Sequence, residues 1–237
     1  MIKIKVIERD TIGEAHEEII KNILMDGSEV MTKHGITLEY PGPISVLINH
    51  PFQEPIKSKG YNFPLEGMKL YAEQLQTVSH SAFDYNCGNR WFDYPMLIDV
   101  SDNVDNCMEV NGDGNQRGFN QIDRLVIGEL KKDPSSRRAV ITSLVPHMDV
   151  HKKHIPCISF LQFLIRDNKL NLTVYIRSND MLSAWGSDAY ALSQLQKYVA
   201  KMLNIESSYL EIISVSAHIY HKRDADELMK FRREINW

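Results

Sequence analysis

One cysteine stands where covalent chemistry is plausible. Cys157 follows a proline and heads an apolar run over residues 158–165. A thiolate is a strong nucleophile, but an unperturbed cysteine has a pKa of about 8.5 and needs help to ionise at neutral pH. A nearby guanidinium group supplies that help, and Arg177 and the pair Arg137-Arg138 are the candidates.

The same arginines are suited to hold a phosphate. Three guanidinium groups together with the Ser178 hydroxyl offer charged and neutral donors to a phosphate dianion. A cysteine beside such a site suggests covalent chemistry on a phosphorylated metabolite. Two acids follow closely, Asp180 and then Asp188 eight residues further along.

Predicted elements place these residues at the ends of two strands and one helix. Residues 158–165 are rich in β-branched and aromatic side chains, which predicts a buried strand. Residues 170–176 alternate between apolar and polar, and the polar turn between the two runs indicates a hairpin. Asp188 is expected to begin a long helix that ends near Leu203.

The remaining patterns predict an α+β domain. Thr11 and Glu14 form a capping box, which predicts a helix ending near Gly27. Residues 80–114 carry few periodic signals, so loops and short turns are expected there. No linker or repeat interrupts the chain, which favours a single domain over residues 1–237. Further strands are expected over residues 2–7, 36–39, 44–48, 139–145 and 209–220, and further helices over residues 64–78, 120–132 and 224–235.

Charge and cysteine usage narrow the class. The net charge of −4 argues against a stable nucleic-acid partner held by a global positive field. Cys87, Cys107 and Cys157 form no CxxC pair, so neither a disulfide framework nor a metal site is expected. The N-terminus lacks the apolar core of a signal peptide, and no run approaches the ~20 apolar residues of a membrane span. A cytoplasmic location is therefore expected.

Four segments resemble the thymidylate synthase superfamily: DPSSRRAV, HIPCISFLQF, YIRSND and SAHIYHKRD, in the family's order and at similar spacing. The resemblance extends over residues 60–224. It implies a thymidylate synthase-like α+β fold, a mixed β-sheet packed with helices, with a sheet face at a homodimer interface. It also implies that the chain binds a pyrimidine nucleoside monophosphate and a reduced folate, 5,10-methylenetetrahydrofolate.

The resemblance assigns roles to individual residues. Cys157 falls on the family nucleophile, which adds to C6 of the base and turns C5 into a carbon nucleophile. Arg137 and Arg138 would bind the substrate phosphate of the other subunit, while Arg177 and Ser178 would bind it from within. The other implied contacts are Gln162 near the base, His218 and Tyr220 on the sugar hydroxyl, and Asp180 on the pterin.

Some family positions carry other residues here. Glu66, after Pro64 at a helix start, fits the glutamate that relays protons to the base, and Glu73 competes for this role. The family usually has a tyrosine where Cys87 stands, and this tyrosine assists at C5, so that step would pass to Tyr85 or to water. The family's amino-terminal phosphate-loop arginine is missing, and Lys33 could replace it.

Asp188 bears on the identity of the base. It aligns where thymidylate synthases carry an asparagine that reads the uracil edge. A carboxylate only accepts hydrogen bonds, which suits the cytosine amino group, and N3 once N3 is protonated in the adduct. The family branch with aspartate here is the deoxycytidylate hydroxymethylases, and Ile176, where glutamine is usual, supports that branch. The alternative interpretation of Asp188 is a helix N-cap.

The resemblance therefore implies folate-dependent hydroxymethylation of C5 in a cytidine monophosphate nucleotide, with dCMP preferred over CMP. A thymidylate synthase that methylates dUMP is the alternative, and a nucleotide-binding relative without turnover is a third possibility. A cytidine deaminase is excluded because Phe160 stands where its PCxxC zinc motif needs the second cysteine. A cysteine–histidine protease is disfavoured because His154 would face the other side of the strand from Cys157.

Overall fold

A computed structural model describes residues 4–78, 86–95 and 118–237. Its strands are β1 (Lys5–Arg9), β2 (Ser28–Thr32), β3 (Gly35–Glu39), β4 (Ile44–Ile48), β5 (Val140–Thr142), β6 (Ile158–Arg166), β7 (Lys169–Asp180) and β8 (Glu206–Ile219). Its helices are α1 (Ile12–Asp26), α2 (Leu65–Leu75), α3 (Cys87–Phe92), α4 (Gly128–Lys132, continuing a π-helical segment over Ile122–Ile127), α5 (Pro146–Asp149), α6 (Trp185–Leu203) and α7 (Ala225–Glu234).

The strands form one mixed sheet in the order β1-β4-β8-β7-β6-β5. The pairs β1–β4 and β7–β8 are parallel, and the other neighbours along this path are antiparallel. The β2–β3 hairpin is attached at the end of β8. The predicted α+β class with a mixed sheet and helices is thus confirmed.

The two faces of the sheet have different environments. Successive side chains along a strand point to opposite faces, so residues in register share one face. One face is buried along the register row that crosses all six strands: Ile7, Val46, Ile212, Val174, Leu161 and Ile141. The other, called here the uncovered face, remains exposed or partly exposed along the adjacent row: Val6, Ser45, Ile213, Tyr175, Phe160 and Thr142.

Two of the predicted local signals are present as expected. The Thr11 hydroxyl accepts a hydrogen bond from the Glu14 backbone N–H, and the Glu14 carboxylate accepts one from the Thr11 N–H, so the capping box of α1 is complete. The β6–β7 hairpin turns through Asp167 and Asn168, with φ of 51° and 57°. A two-residue turn of this kind needs positive φ at both positions, which aspartate and asparagine tolerate.

Several boundaries differ from the sequence prediction. Strand β2 and the short helices α3 and α5 were not expected, because segments of four to six residues show no clear period. The strand predicted over residues 139–145 is limited to Val140–Thr142, since Pro146 opens α5. Helix α6 begins at Trp185, so Asp188 is not its N-cap. Cys107 and most of the loops predicted over residues 80–114 lie outside the described residues. No helix in the described part of the chain is long and apolar enough to cross a bilayer.

A buried ion pair joins the two short helices. The Arg90 guanidinium of α3 donates to Oδ1 of Asp149 in α5 over 2.5 Å, and both side chains are almost fully buried. The second oxygen of Asp149 accepts from the Val145 N–H at 2.7 Å. Because α3 also carries Cys87, this pair fixes the position of that thiol in the fold.

We expect Asp149→Ala to lower the free energy of unfolding by about 3–5 kcal/mol, because it leaves the Arg90 charge buried without its partner. Urea denaturation followed by circular dichroism measures this value. The control is Lys169→Ala, which breaks the exposed Lys169–Glu206 pair and should cost less than about 1 kcal/mol. A cost for Asp149→Ala no larger than that of the control would contradict the prediction.

Candidate active site

Cys157 directly precedes β6 and lies beside the predicted arginine. A guanidinium nitrogen of Arg177, Nη2, is 3.6 Å from the Cys157 Sγ in hydrogen-bonding geometry. The backbone N–H of Arg177 also donates to the Cys157 carbonyl at 3.0 Å. A cationic donor at this distance stabilises a negative charge on sulfur, so the pairing suits a nucleophilic thiolate.

The Arg177 side chain is held in place by the segment before Cys157. Its Nε donates to the Pro156 carbonyl and its Nη2 to the Ile155 carbonyl, each at 2.9 Å. These contacts fix the end of β7 to the chain that enters β6. Ser178, the next residue in β7, is partly buried.

The ends of β7 and β8 bring the predicted pterin and sugar residues together. Asp180 pairs in register with His218. The rings of His218 and Tyr220 meet edge to face, with centroids 5.3 Å apart. These three residues therefore lie close together at the ends of two neighbouring parallel strands.

Arg223 joins these three residues, although sequence reasoning did not single it out. Its guanidinium lies 4.0 Å from the centre of the Tyr220 ring and donates to both Asp180 and Asp224. The other contacts of the Asp180 carboxylate come from the Leu182 and Ser183 N–H groups and the Ser183 hydroxyl. The only available signal was the position of Arg223 within the SAHIYHKRD segment.

Asp188 is a buried acid inside α6. Burial raises its pKa to about 7, while a hydrogen bond from the Tyr71 hydroxyl to Oδ1, at 2.8 Å, opposes this increase. The charge of Asp180 raises the pKa further. Near neutral pH the carboxyl is thus divided between its acid and carboxylate forms. Tyr71, from α2, was also missed by sequence reasoning because it is distant in the chain.

Cys87 lies close to Asp188 and to Cys157. Burial raises the pKa of its thiol, and the charges of Asp188 and Cys157 raise it further. Cys87 therefore remains a neutral thiol and is a poor candidate for the base at C5. Tyr85, the other residue considered for that step, lies outside the described residues.

The two candidate relay glutamates lie on the exposed side of α2. Glu66 has a 79% exposed side chain and forms an ion pair with Lys69 at 2.8 Å. Glu73 is exposed as well. Within the described residues neither carboxylate hydrogen-bonds to Cys157 or Asp188, and Tyr71 is the residue of this helix that reaches Asp188. Lys33, proposed as a phosphate ligand, is exposed at the β2–β3 turn.

Arg137, Arg138 and Gln162 lie away from Cys157 in this single chain. The Arg138 side chain is 85% exposed, with one 3.9 Å contact to Glu129, at the β5 edge of the sheet. Gln162 belongs to the uncovered face and donates to the Arg137 carbonyl at 3.1 Å. Its described hydrogen bond therefore supports the backbone at Arg137. No group of three or more histidine, cysteine or carboxylate residues within the described ranges is arranged to hold a metal ion.

Comparisons with known proteins show the family to which this sequence is similar. A family model described as "Thymidylate synthase" matches residues 67–236. A protein of Methanocaldococcus jannaschii is 30% identical over 95% of both chains. Proteins of Methanothermobacter marburgensis and Methanosarcina mazei are each 28% identical, over 94% and 98% of this chain and 97% and 96% of their own. All three carry the name "Putative thymidylate synthase".

Proposed function

Because the chain belongs to the thymidylate synthase family, we propose that it hydroxymethylates C5 of a cytidine monophosphate nucleotide, with dCMP as the expected substrate. The family transfers one-carbon units to pyrimidine nucleotides and generally uses methylenetetrahydrofolate. The observation that carries the finer proposal is Asp188: a buried carboxyl stands where an asparagine would read uracil. The alternative is a thymidylate synthase that methylates dUMP, in line with the name that the relatives carry.

Cys157 is the nucleophile of the proposed reaction. Its sulfur adds to C6 of the base, the C5–C6 double bond opens, and C5 becomes nucleophilic toward the one-carbon unit. The C5 proton is then lost and the bond between the one-carbon unit and the folate nitrogen breaks, so tetrahydrofolate leaves and an exocyclic methylene remains on the base. Water adds to this methylene, and Cys157 departs from C6 as the C5–C6 double bond forms again. Arg177 supports the first and last of these steps, because its guanidinium stabilises the thiolate that attacks and later leaves.

Asp188 is the residue that distinguishes the bases in this proposal. Cytosine presents an acceptor at N3 and a donor at the C4 amino group. A carboxyl with a pKa of about 7 can meet both, since its acid O–H donates to N3 and its other oxygen accepts from the amino group. Uracil presents the reverse order, N3–H and O4. An ionised carboxylate repels O4, and an acid O–H held opposite N3 faces the N3–H donor where it needs an acceptor.

The remaining residues bind the phosphate, the sugar and the folate. In the proposal Arg177 and Ser178 bind the phosphate, and His218 and Tyr220 bind the sugar hydroxyl. The folate would supply the one-carbon unit when bound. In the proposal the Asp180 carboxylate binds the pterin, because a carboxylate only accepts hydrogen bonds and a pterin ring edge offers N–H donors.

A homodimer completes the proposed site. The uncovered face carries large apolar side chains, among them Val6 at 68% exposure and Phe160 and Tyr175 at 41% each. A second copy packed against this face would bury them. It would also present the exposed guanidinium groups of Arg137 and Arg138, at the sheet edge, to the phosphate of the opposite subunit.

We expect the wild-type protein to prefer dCMP over dUMP in kcat/KM by roughly ten- to hundred-fold, because uracil would leave a buried polar contact unpaired. Asp188→Asn should shift this preference toward dUMP, since the amide offers a donor to O4. The measurement uses dCMP, CMP and dUMP, each with methylenetetrahydrofolate, and identifies products by mass. Asp226→Asn, an exposed change in the first turn of α7, is the matched control and should leave the preference unchanged. A wild-type preference for dUMP would replace this proposal with thymidylate synthesis.

A further inference from the structure

Tyr71 provides the single hydrogen bond found on the Asp188 carboxyl group within the described residues. Its hydroxyl donates to Oδ1 over 2.8 Å, and no described residue hydrogen-bonds to Oδ2. The contact joins α2 to α6, two helices that pack against each other. Tyr71 and Asp188 are 117 residues apart in the sequence. A donor directed at one oxygen makes that oxygen the poorer proton acceptor, so the proton of the acid form belongs on Oδ2.

We propose that Tyr71 is a positioning residue that fixes which oxygen of Asp188 donates and which accepts toward the base. This inference rests on the proposed function, because it concerns how Asp188 reads the nucleotide. Oδ1 has two lone pairs, so it can accept from Tyr71 and from one base N–H together. Cytosine and uracil present acceptor and donor in opposite order along the same edge. A carboxyl with a fixed order therefore fits one base and mismatches the other.

The other described groups around Asp188 do not donate a hydrogen bond to its carboxylate. Tyr61, from the segment before α2, uses its hydroxyl on the Ser183 carbonyl and on Ser187, and burial raises its pKa to about 12. Cys87, from α3, is kept neutral by the burial that raises its pKa. Asp180, at the end of β7, is negative and opposes ionisation of Asp188. Among the described residues, Tyr71 is thus the neighbour that favours the carboxylate through a direct hydrogen bond.

The first test measures the titration of Asp188 without nucleotide. Infrared difference spectra, with Asp188→Asn used to assign the carboxyl band, should show the titration midpoint of Tyr71→Phe about one pH unit above the wild-type value, since a donor to the anion is lost. Tyr198→Phe is the control on α6: its ring packs on Phe92, and the midpoint of Asp188 should not move. An unchanged midpoint in Tyr71→Phe overturns the inference.

The second test is a double-mutant cycle on base preference. Tyr71→Phe should reduce the preference for one base over the other, measured as the ratio of kcat/KM for dCMP and dUMP, by about five-fold. The reason is that the proton of Asp188 can then occupy either oxygen. In the Asp188→Asn background the same change should have no further effect. A full five-fold effect in that background would mean that Tyr71 acts elsewhere and overturns the inference.

These outcomes separate the inference from the proposed function. If the wild-type protein prefers dUMP but Tyr71→Phe still raises the midpoint and narrows that preference, hydroxymethylation of cytidylate fails and the role of Tyr71 stands. If dCMP is preferred and neither quantity changes in Tyr71→Phe, the proposed function stands and the role of Tyr71 fails.

Discussion

Cys157→Ala is expected to abolish turnover while nucleotide binding survives. In the proposed mechanism the thiol supplies the bond to C6 on which every later step depends, so kcat should fall by at least about a thousand-fold. In the proposed site the phosphate is held by guanidinium groups and not by sulfur, so the Kd for the nucleotide should change by less than about three-fold. Product formation followed by mass, and calorimetry with dCMP and dUMP, measure the two quantities separately.

The matched control for this experiment is Cys87→Ala. Its thiol is neutral and buried near Cys157, so it reports the cost of losing a cysteine from the same region without losing the nucleophile. This variant should retain measurable turnover. Normal turnover in Cys157→Ala would remove the covalent mechanism. Loss of turnover in Cys87→Ala alone would transfer the nucleophilic role to Cys87.

The parts of the fold that sequence analysis predicted are those with local signals. The capping box at Thr11 and Glu14 and the turn through Asp167 and Asn168 are each contained within four residues, and both are present. Helix α3 has no such signal beyond Asn86, whose side chain accepts from the Gly88 N–H at 2.7 Å. It is held instead by the Arg90–Asp149 pair, which spans 59 residues of sequence.

The same distinction applies to the candidate site. The proximity of Cys157 to Arg177 follows from a short hairpin, which the sequence pattern predicts. The contact of Tyr71 with Asp188 depends on how α2 packs on α6, and no pattern within either helix indicates it. Placing the glutamate relay at Glu66 required knowing which side of α2 faces the site. The buried residues Met68, Ala72 and Leu75 show that Glu66 is on the exposed side.

Local sequence patterns also do not predict the uncovered face of the sheet. Phe160 and Tyr175 are typical strand residues whether they face a core, solvent or a second subunit. Only the register across the strands shows that they share a face that the described residues leave uncovered. The exposed side chain of Arg138 lies at the edge of the same sheet. Together these features motivate a test of whether two subunits share each site.

Mixing the two inactive variants Cys157→Ala and Arg138→Ala is expected to restore activity. In a hybrid of the proposed homodimer, the Arg138→Ala subunit provides an intact Cys157, and its Cys157→Ala partner provides an intact Arg138 across the interface. One of the two sites is then complete. Random exchange makes half of the dimers hybrid, and each hybrid has one complete site. About a quarter of all sites should therefore work, so turnover should reach about a quarter of the wild-type value.

The matched control mixes Cys157→Ala with Arg177→Ala. Arg177 contacts Cys157 within one chain, so every site in such a hybrid lacks one of the two groups and no activity should return. Subunit exchange is verified by mass spectrometry of differently tagged copies, and turnover is measured by product mass. Absence of recovery in the Arg138 mixture despite proven exchange would assign Arg138 to the site of its own subunit. Recovery in the Arg138 mixture alone would establish that the phosphate is held by both subunits.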